Sequence, residues 1–274
     1  MDRTFLKTGL FLMPVILPIT LIGGIFGLIG MIIGLIVSFI ICILIIRNLD
    51  RLIIRIYKAR PVRPGELTEL RQKAMLFSQR AGVPAPSIYI TEMVLPGSFV
   101  VGRKIDKTVL VMPRRLLSML KNEEFCALLA SNIVQINDSI GLRTLAALIS
   151  GIFLMIASAI RWGAVFTGFG DYNDPAPRLF WQFVMGLVSP PSAAMIHSVA
   201  MDEIDTRAAK LCKNPSAIIS AVERLETNNV TGYANLGFLC LVDPKTDSFF
   251  EVLFRSHKSK ENRFKNLKQE GHQS

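Results

Sequence analysis

The feature that most constrains this chain is a long uncharged stretch near its N-terminus. Between Lys7 and Arg47 lie 39 residues without a charged side chain. As an α-helix they would extend about 58 Å, roughly twice the thickness of the hydrocarbon core of a bilayer. The stretch therefore predicts two membrane spans, joined in the glycine-rich segment GGIFGLIG, where small residues let helices approach closely. A cleaved signal peptide is the alternative, but its apolar region would be about a third to a half as long.

The composition also indicates a membrane protein. Of the 274 residues, 51% are hydrophobic, and the mean hydropathy of +0.42 is well above that of an ordinary soluble domain. Two later apolar stretches, residues 144–170 and 179–200, predict a second hairpin in or at the membrane. Arg161 interrupts the first stretch, and Pro190 and Pro191 interrupt the second. The alternatives to a full membrane hairpin are therefore a shorter, tilted hairpin and a buried helical pair in a soluble domain.

The basic residues are distributed as in a membrane protein whose main domain is cytoplasmic. The net charge is +10, and a basic run directly follows the second predicted span. Because basic residues collect on the cytoplasmic side, both ends of the first hairpin and the domain after it are predicted there, at the plasma (inner) membrane. A basic run this close to a bilayer also predicts contact with anionic lipid rather than with nucleic acid. The residues predicted to make this contact are Arg47, Arg51, Arg55 and Lys58.

Periodicity divides the rest of the chain into helices and short strands. An amphipathic helix is predicted near residues 65–82, strands at 87–90 and 108–113, and further helices at 114–120, 123–138 and on both sides of Asn214 and Pro215. The predicted fold is a mainly α membrane protein with two N-terminal spans, then an α+β cytoplasmic domain with a small sheet, interrupted by a second apolar hairpin. Its units are residues 1–47, 48–143, 144–199 and 200–274.

Six segments of the chain carry a resemblance to a known family. In order they are YKARPVRPGELTELRQKAMLFSQRAGVPAPSIYI, LPGSFVVGR, VLVMPRRLLSMLKNEEFCALLASNIVQIND, the second apolar hairpin, AMDEIDTRAAKLCKNPSAIISAVERLE and RSHKSKENRFKNL. Their order is similar to that of the HtpX family of membrane-embedded zinc metalloendopeptidases. LPGSFVVGR resembles that family's P-N-A-F-A-x-G segment, and RSHKSKENRFKNL resembles its T-H-P-P-x-x-x-R-I-x-x-L motif. The resemblance implies a zincin-like α+β domain.

The helix EEFCALLASNIVQIND departs from the family's metal motif. In H-E-x-x-H, two histidines on one helical face bind zinc, and the glutamate deprotonates the bound water. The resemblance places Ser131 and Gln135 at the histidine positions and Asn132 at the glutamate position. The third ligand, four residues before the aspartate of E-x-x-x-D, corresponds to Met201, with Asp205 as that aspartate. Hydroxyl, amide and thioether groups are poor zinc donors, so neither a metal nor a cofactor is predicted.

These departures predict a catalytically inactive, HtpX-like pseudoenzyme that acts by binding proteins, as a scaffold, adaptor or subunit of a membrane complex. Asp205 is expected to hydrogen-bond Asn132 or Gln135. An extended partner peptide is predicted to add to an edge strand. The residues of that strand are Thr108, Val109, Leu110, Val111 and Met112. The alternatives are an active membrane zinc metalloendopeptidase in protein quality control, and a transport or channel subunit.

Overall fold

The computed structural model describes residues 3–137, 140–149, 151, 201–228, 239–242, 263–264 and 267. Most of the predicted hairpin at 144–199 lies outside the described residues. The helices are α1 (Arg3–Gly24), α2 (Gly27–Arg47), α3 (Leu49–Ile56), α4 (Thr68–Ala81), α5 (Arg114–Met119), α6 (Asn122–Val134), α7 (Ile140–Ile149), α8 (Met201–Cys212) and α9 (Pro215–Thr227). The strands are β1 (Arg60–Pro61), β2 (Ser87–Thr91), β3 (Phe99–Gly102) and β4 (Thr108–Pro113).

The N-terminal hairpin consists of α1 and α2, which pack closely and are joined within the predicted glycine-rich segment. A Cβ at Gly23 or Gly30 would collide with the backbone of the other helix. One at Gly34 would lie 2.8 Å from the carbonyl oxygen of Ile19. These glycines therefore allow the close approach that the sequence predicts, whereas a Cβ at Gly24 would meet nothing within 4 Å.

In the described part of the chain, α2 is the one helix that is long and apolar enough to cross a membrane. Its buried residues, Gly34, Ser38 and Cys42, recur every four positions and form a single face. Most of its remaining surface consists of exposed isoleucine, leucine and phenylalanine side chains. Such a surface suits contact with lipid. The second span and the cytoplasmic orientation stay predictions.

A four-stranded mixed sheet, in the order β1-β2-β4-β3, follows the hairpin. β4 pairs in parallel with β2 and antiparallel with β3, and all six of its residues are buried. The prediction that Thr108–Met112 is an edge strand open to a peptide is therefore wrong. The physical reason is visible in the sequence TVLVMP, because an unbroken apolar run is typical of a strand buried on both faces.

Successive side chains of a strand point to opposite faces of the sheet. Alternate residues therefore belong to two separate hydrophobic cores. Residues of one face pack with α4, α6, α8 and α9, and residues of the other face pack with α3 and α7. On that second face the rings of Tyr57 and Phe99 meet edge to face, with centroids 5.3 Å apart. The first core contains Ile88, Ile90, Val100, Leu110 and Met112, and the second contains Phe99, Val101, Val109 and Val111.

A buried carboxylate, Glu124, fixes the start of α6 to α9. It accepts hydrogen bonds from the Lys121 backbone N–H (2.9 Å) and from Ser220 Oγ (2.6 Å), and it pairs with Arg224 Nε at 2.8 Å. Burial, the largest single effect, raises the pKa of Glu124, but these hydrogen bonds and the Arg224 charge together outweigh burial and leave the pKa below its ordinary value. Glu124 therefore holds the first turn of α6 in place as an anion.

Candidate functional site

The predicted site lies where α6 packs against α8. Ser131 and Asn132 are in the last turn of α6, and Gln135 follows it; each of these three residues is only 1% exposed. On α8, Met201 is the first residue, and Asp205, one turn later, is buried. The predicted pairing of these two helices is present.

Asn132 is held by two hydrogen bonds. Its Nδ2 donates to Ser98 Oγ at 2.6 Å and to the Leu128 carbonyl oxygen at 2.9 Å. Ser98 is fully buried and directly precedes β3. The Asn132 amide therefore ties α6 to the segment that leads into the sheet.

Two buried atoms beside Asn132 are unsatisfied. Within the described ranges, Ser131 Oγ and Gln135 Oε1 have no hydrogen-bond partner. Gln135 lies just past the last helical residue, but its N–H still donates to the Ser131 carbonyl oxygen at 3.3 Å, so its backbone continues the helical path. α6 thus ends earlier than predicted, yet Ser131 and Gln135 keep their one-turn separation.

Asp205 has a different partner from the one expected. Arg263 donates from Nε to Asp205 Oδ2 at 2.6 Å and from a terminal nitrogen to Asp205 Oδ1 at 2.9 Å. Its other terminal nitrogen donates to the Leu241 carbonyl oxygen at 3.2 Å. Both side chains are buried, so this is a bidentate ion pair inside the core. The expectation that Asp205 bonds Asn132 or Gln135 is wrong.

The residues present do not fit a zinc ion. Ser131 and Gln135 offer a hydroxyl and an amide, which are weak donors to zinc. Both carboxylate oxygens of Asp205 are occupied by a buried guanidinium. Across the residues that the structure describes, no group of three His, Cys, Asp or Glu side chains could hold a metal ion.

Sequence reasoning missed Ser98 and Arg263, although both lie in segments already recognised as family motifs. Arg263 stands at the arginine of the motif matched by RSHKSKENRFKNL, and Ser98 lies within LPGSFVVGR. Their partners are 58 and 34 residues away along the chain, so periodicity gives no signal for these contacts. The four residues predicted to contact lipid, by contrast, are all exposed at the end of α2, along α3 and just after it.

Comparison with known proteins finds relatives that share one name. The chain is 28% identical over 228 residues to a protein named "Protease HtpX homolog" from Desulfatibacillum aliphaticivorans, covering 80% of this chain and 74% of that protein. A homologue of the same name from Persephonella marina is 26% identical over 232 residues, with 80% of each chain covered. One from Thermococcus sibiricus is 26% identical over 232 residues, covering 80% of this chain and 79% of the relative. The chain is thus similar to HtpX protease homologues over about 80% of its length.

No family model matches the sequence. Among solved structures, the crystal structure of S. mikatae Ste24p is similar with a TM-score of 0.41 and 17% identity, covering 85% of this chain and 57% of that one.

The names of these relatives correct one prediction. The sequence predicts that this protein is not an enzyme, but its relatives are named as proteases, which points instead to a family of enzymes. The correspondence of Ser131, Asn132, Gln135 and Met201 to metal and catalytic positions stays a prediction.

Proposed function

We propose that this HtpX-family protein is a multi-pass membrane protein, with its sheet domain on the cytoplasmic side, that binds membrane proteins or unfolded polypeptides at the α6–α8 site. The exposed apolar surface of α2 and the basic residues after it support the membrane location. Kinship with proteases supports the choice of partner, because a protease must hold a polypeptide before it can cut one.

The observation that carries this proposal is the pair of unsatisfied acceptors, Ser131 Oγ and Gln135 Oε1. A buried polar atom without a partner costs about 1–3 kcal/mol, which a backbone N–H from a bound polypeptide would recover. The amide nitrogen of Asn132 is a donor, and it already donates to Ser98 Oγ and to the Leu128 carbonyl oxygen, so it cannot accept such an N–H. Because both acceptors are buried, a client must displace the chain that covers them, and its association is expected to be slow.

The test measures binding of a fluorescent, permanently unfolded polypeptide to the purified protein in lipid nanodiscs that contain chelator. Saturable binding is expected to persist in chelator and to weaken about 10-fold in Ser131→Ala/Gln135→Leu, which removes both acceptors. Ser78→Ala is the matched control, because Ser78 Oγ is also buried without a partner but lies on α4. Absence of saturable binding, or its loss in chelator, would contradict the proposal.

A further inference from the structure

A polar pocket of about 350 Å³ opens where α2 ends. One part of its lining comes from the junction of α2 and α3, and the other comes from the turn between β3 and β4. The lining residues are Arg47, Asn48, Asp50 and Arg51 on the helical side and Arg103 and Lys107 on the side of the turn.

Both sides of this pocket are fixed by the fold. Leu49 and Ile53 anchor α3 in the core beneath the sheet, and each is 2% exposed. The β3–β4 turn is closed by the Lys107 N–H, which donates to the Lys104 carbonyl oxygen at 3.1 Å. The N–H of Gly102 donates to Thr144 Oγ1 on α7 at 2.9 Å. The two sets of basic side chains therefore face one space as a consequence of tertiary structure.

The pocket is strongly cationic. Its lining holds four cations, Arg47, Arg51, Arg103 and Lys107, against one carboxylate, Asp50, which leaves a net charge of +3. None of these four cations forms an ion pair with another described residue. Asp50 is half-buried, and the positive charges of Arg103 and Lys107 attract its carboxylate, which favours holding the turn against α3.

We propose that this pocket binds the phosphate group of an anionic phospholipid. Guanidinium groups bind phosphate oxygens through paired N–H donors, and two or more of them can share one headgroup. A lipid is favoured over a soluble phosphate because Arg47 is the last residue of the apolar helix α2. A lipid whose headgroup lies in the pocket can therefore lay its acyl chains along the exposed apolar side chains of α2. This inference rests on the membrane location proposed above.

The pocket differs from the lipid contact that the sequence predicts. Arg47 and Arg51 line it, but Arg55 and Lys58, in the same basic run, do not. Their places are taken by Arg103 and Lys107, which lie about 50 residues further along the chain. Replacing Arg55 and Lys58 therefore gives a control variant that loses the same two positive charges as a variant of Arg103 and Lys107.

The experiment compares Arg103→Gln/Lys107→Gln with Arg55→Gln/Lys58→Gln, each purified into detergent with phosphatidylglycerol or phosphatidylcholine added, and counts bound lipid by native mass spectrometry. Phosphatidylglycerol is expected to bind the unmodified protein and the Arg55/Lys58 variant within about 3-fold of each other, and to bind the Arg103/Lys107 variant at least about 10-fold more weakly. Equal losses in both variants would show a diffuse electrostatic effect and overturn the pocket. Equal retention of phosphatidylcholine would overturn the preference for an anionic lipid.

A second arm adds inorganic phosphate or glycerol phosphate to the lipid-bound protein. Displacement at micromolar concentration would overturn the lipid assignment and indicate a site for a soluble anion. Arg47→Gln supplies a second test of the pocket if the double variant does not fold, and it is expected to weaken phosphatidylglycerol binding about 5-fold. Recovery of the protein from the membrane fraction is measured separately, so failure of the membrane location is distinguishable from failure of the pocket.

Discussion

Two of the buried carboxylates in the described part of the chain, Asp205 and Glu124, have partners that come from distant parts of the sequence. Asp205 and Arg263 are 58 residues apart, and Glu124 and Ser220 are 96 residues apart. Each pair joins an element of the central core to another segment, so each stabilises the tertiary arrangement rather than one helix. Residue patterns could predict that Asp205 lies at the site. They could not predict its partner, because an ion pair leaves no periodic trace in the sequence.

Replacing one member of the Asp205–Arg263 pair is expected to be costly. Asp205→Asn leaves the Arg263 guanidinium buried without a counter-charge, and breaking such a pair costs about 3–5 kcal/mol. Asp205→Leu/Arg263→Met removes both charges and is expected to cost less than the single substitution. Denaturant unfolding in detergent measures both variants. A double variant that is less stable than Asp205→Asn would show that the pair itself, and not only its charge balance, stabilises the core.

Stability at acidic pH is expected to depend on Glu124. Its pKa in the folded protein lies below its ordinary value of 4.5, so its contribution is fully present above about pH 4.5 and is lost as the pH falls through the folded-state pKa. Glu124→Gln should lower the thermal midpoint at pH 7, and the difference from the unmodified protein should shrink below pH 4. Midpoints measured from pH 3 to pH 7 test this. A difference that does not change with pH would mean that Glu124 does not titrate as described.

The bounds of individual helices and strands could be predicted from local sequence signals more closely than their arrangement in space could. Gly82 ends α4 with a left-handed conformation at φ +68°, as the sequence predicts, and the apolar run TVLVMP does form a strand. The position of that strand inside the sheet depends on β3, whose pairing is set by long-range contacts. The same limit applies to Ser98, which lies in a recognised motif segment but gains its role only through contact with α6.

The approach of α1 and α2 is expected to depend on individual glycines. Gly30→Ala places a methyl group against the backbone at Gly23 and should separate the helices, whereas Gly24→Ala meets nothing within 4 Å. Thermal unfolding in detergent should show a midpoint several degrees lower for Gly30→Ala, because overpacking costs about 1–3 kcal/mol. For Gly24→Ala it should be unchanged or slightly higher, because alanine favours the helix. Equal midpoints for the two variants would contradict the packing described.

The register between α6 and α8 can be tested with a metal. Ser131→His, Gln135→His and Met201→Glu together place two imidazoles one turn apart on α6 and a carboxylate at the start of α8, which packs against it. Zinc is expected to bind this triple variant at micromolar concentration, and Ser131→His alone should bind at least about 10-fold more weakly. Zinc content after gel filtration measures both. A folded triple variant without zinc would show that Met201 does not correspond to the family's third ligand.

At the scale of the whole molecule, one contact constrains the topology. α6 ends before the second apolar stretch and α8 begins after it, yet the two helices pack together in one core. Because α6 and α8 share one core, an even number of membrane crossings between them stays the prediction. If α1 also spans the membrane, as the sequence predicts, the α1–α2 hairpin returns the chain to the side on which it began. Even numbers in both places predict that the two termini lie on the same side of the membrane.

This argument predicts the result of cysteine labelling in intact cells. Ser274→Cys should be labelled only after permeabilisation, because the basic residues after α2 predict that this side is cytoplasmic. Tyr172→Cys, between the two later apolar stretches, should be labelled without permeabilisation if residues 144–199 cross the membrane twice. The unmodified protein, with its native cysteines, is the control. Labelling of Ser274→Cys from outside would contradict the orientation. Protection of Tyr172→Cys would lower the predicted number of crossings from four to two, because an odd number between α6 and α8 would not let these helices pack together.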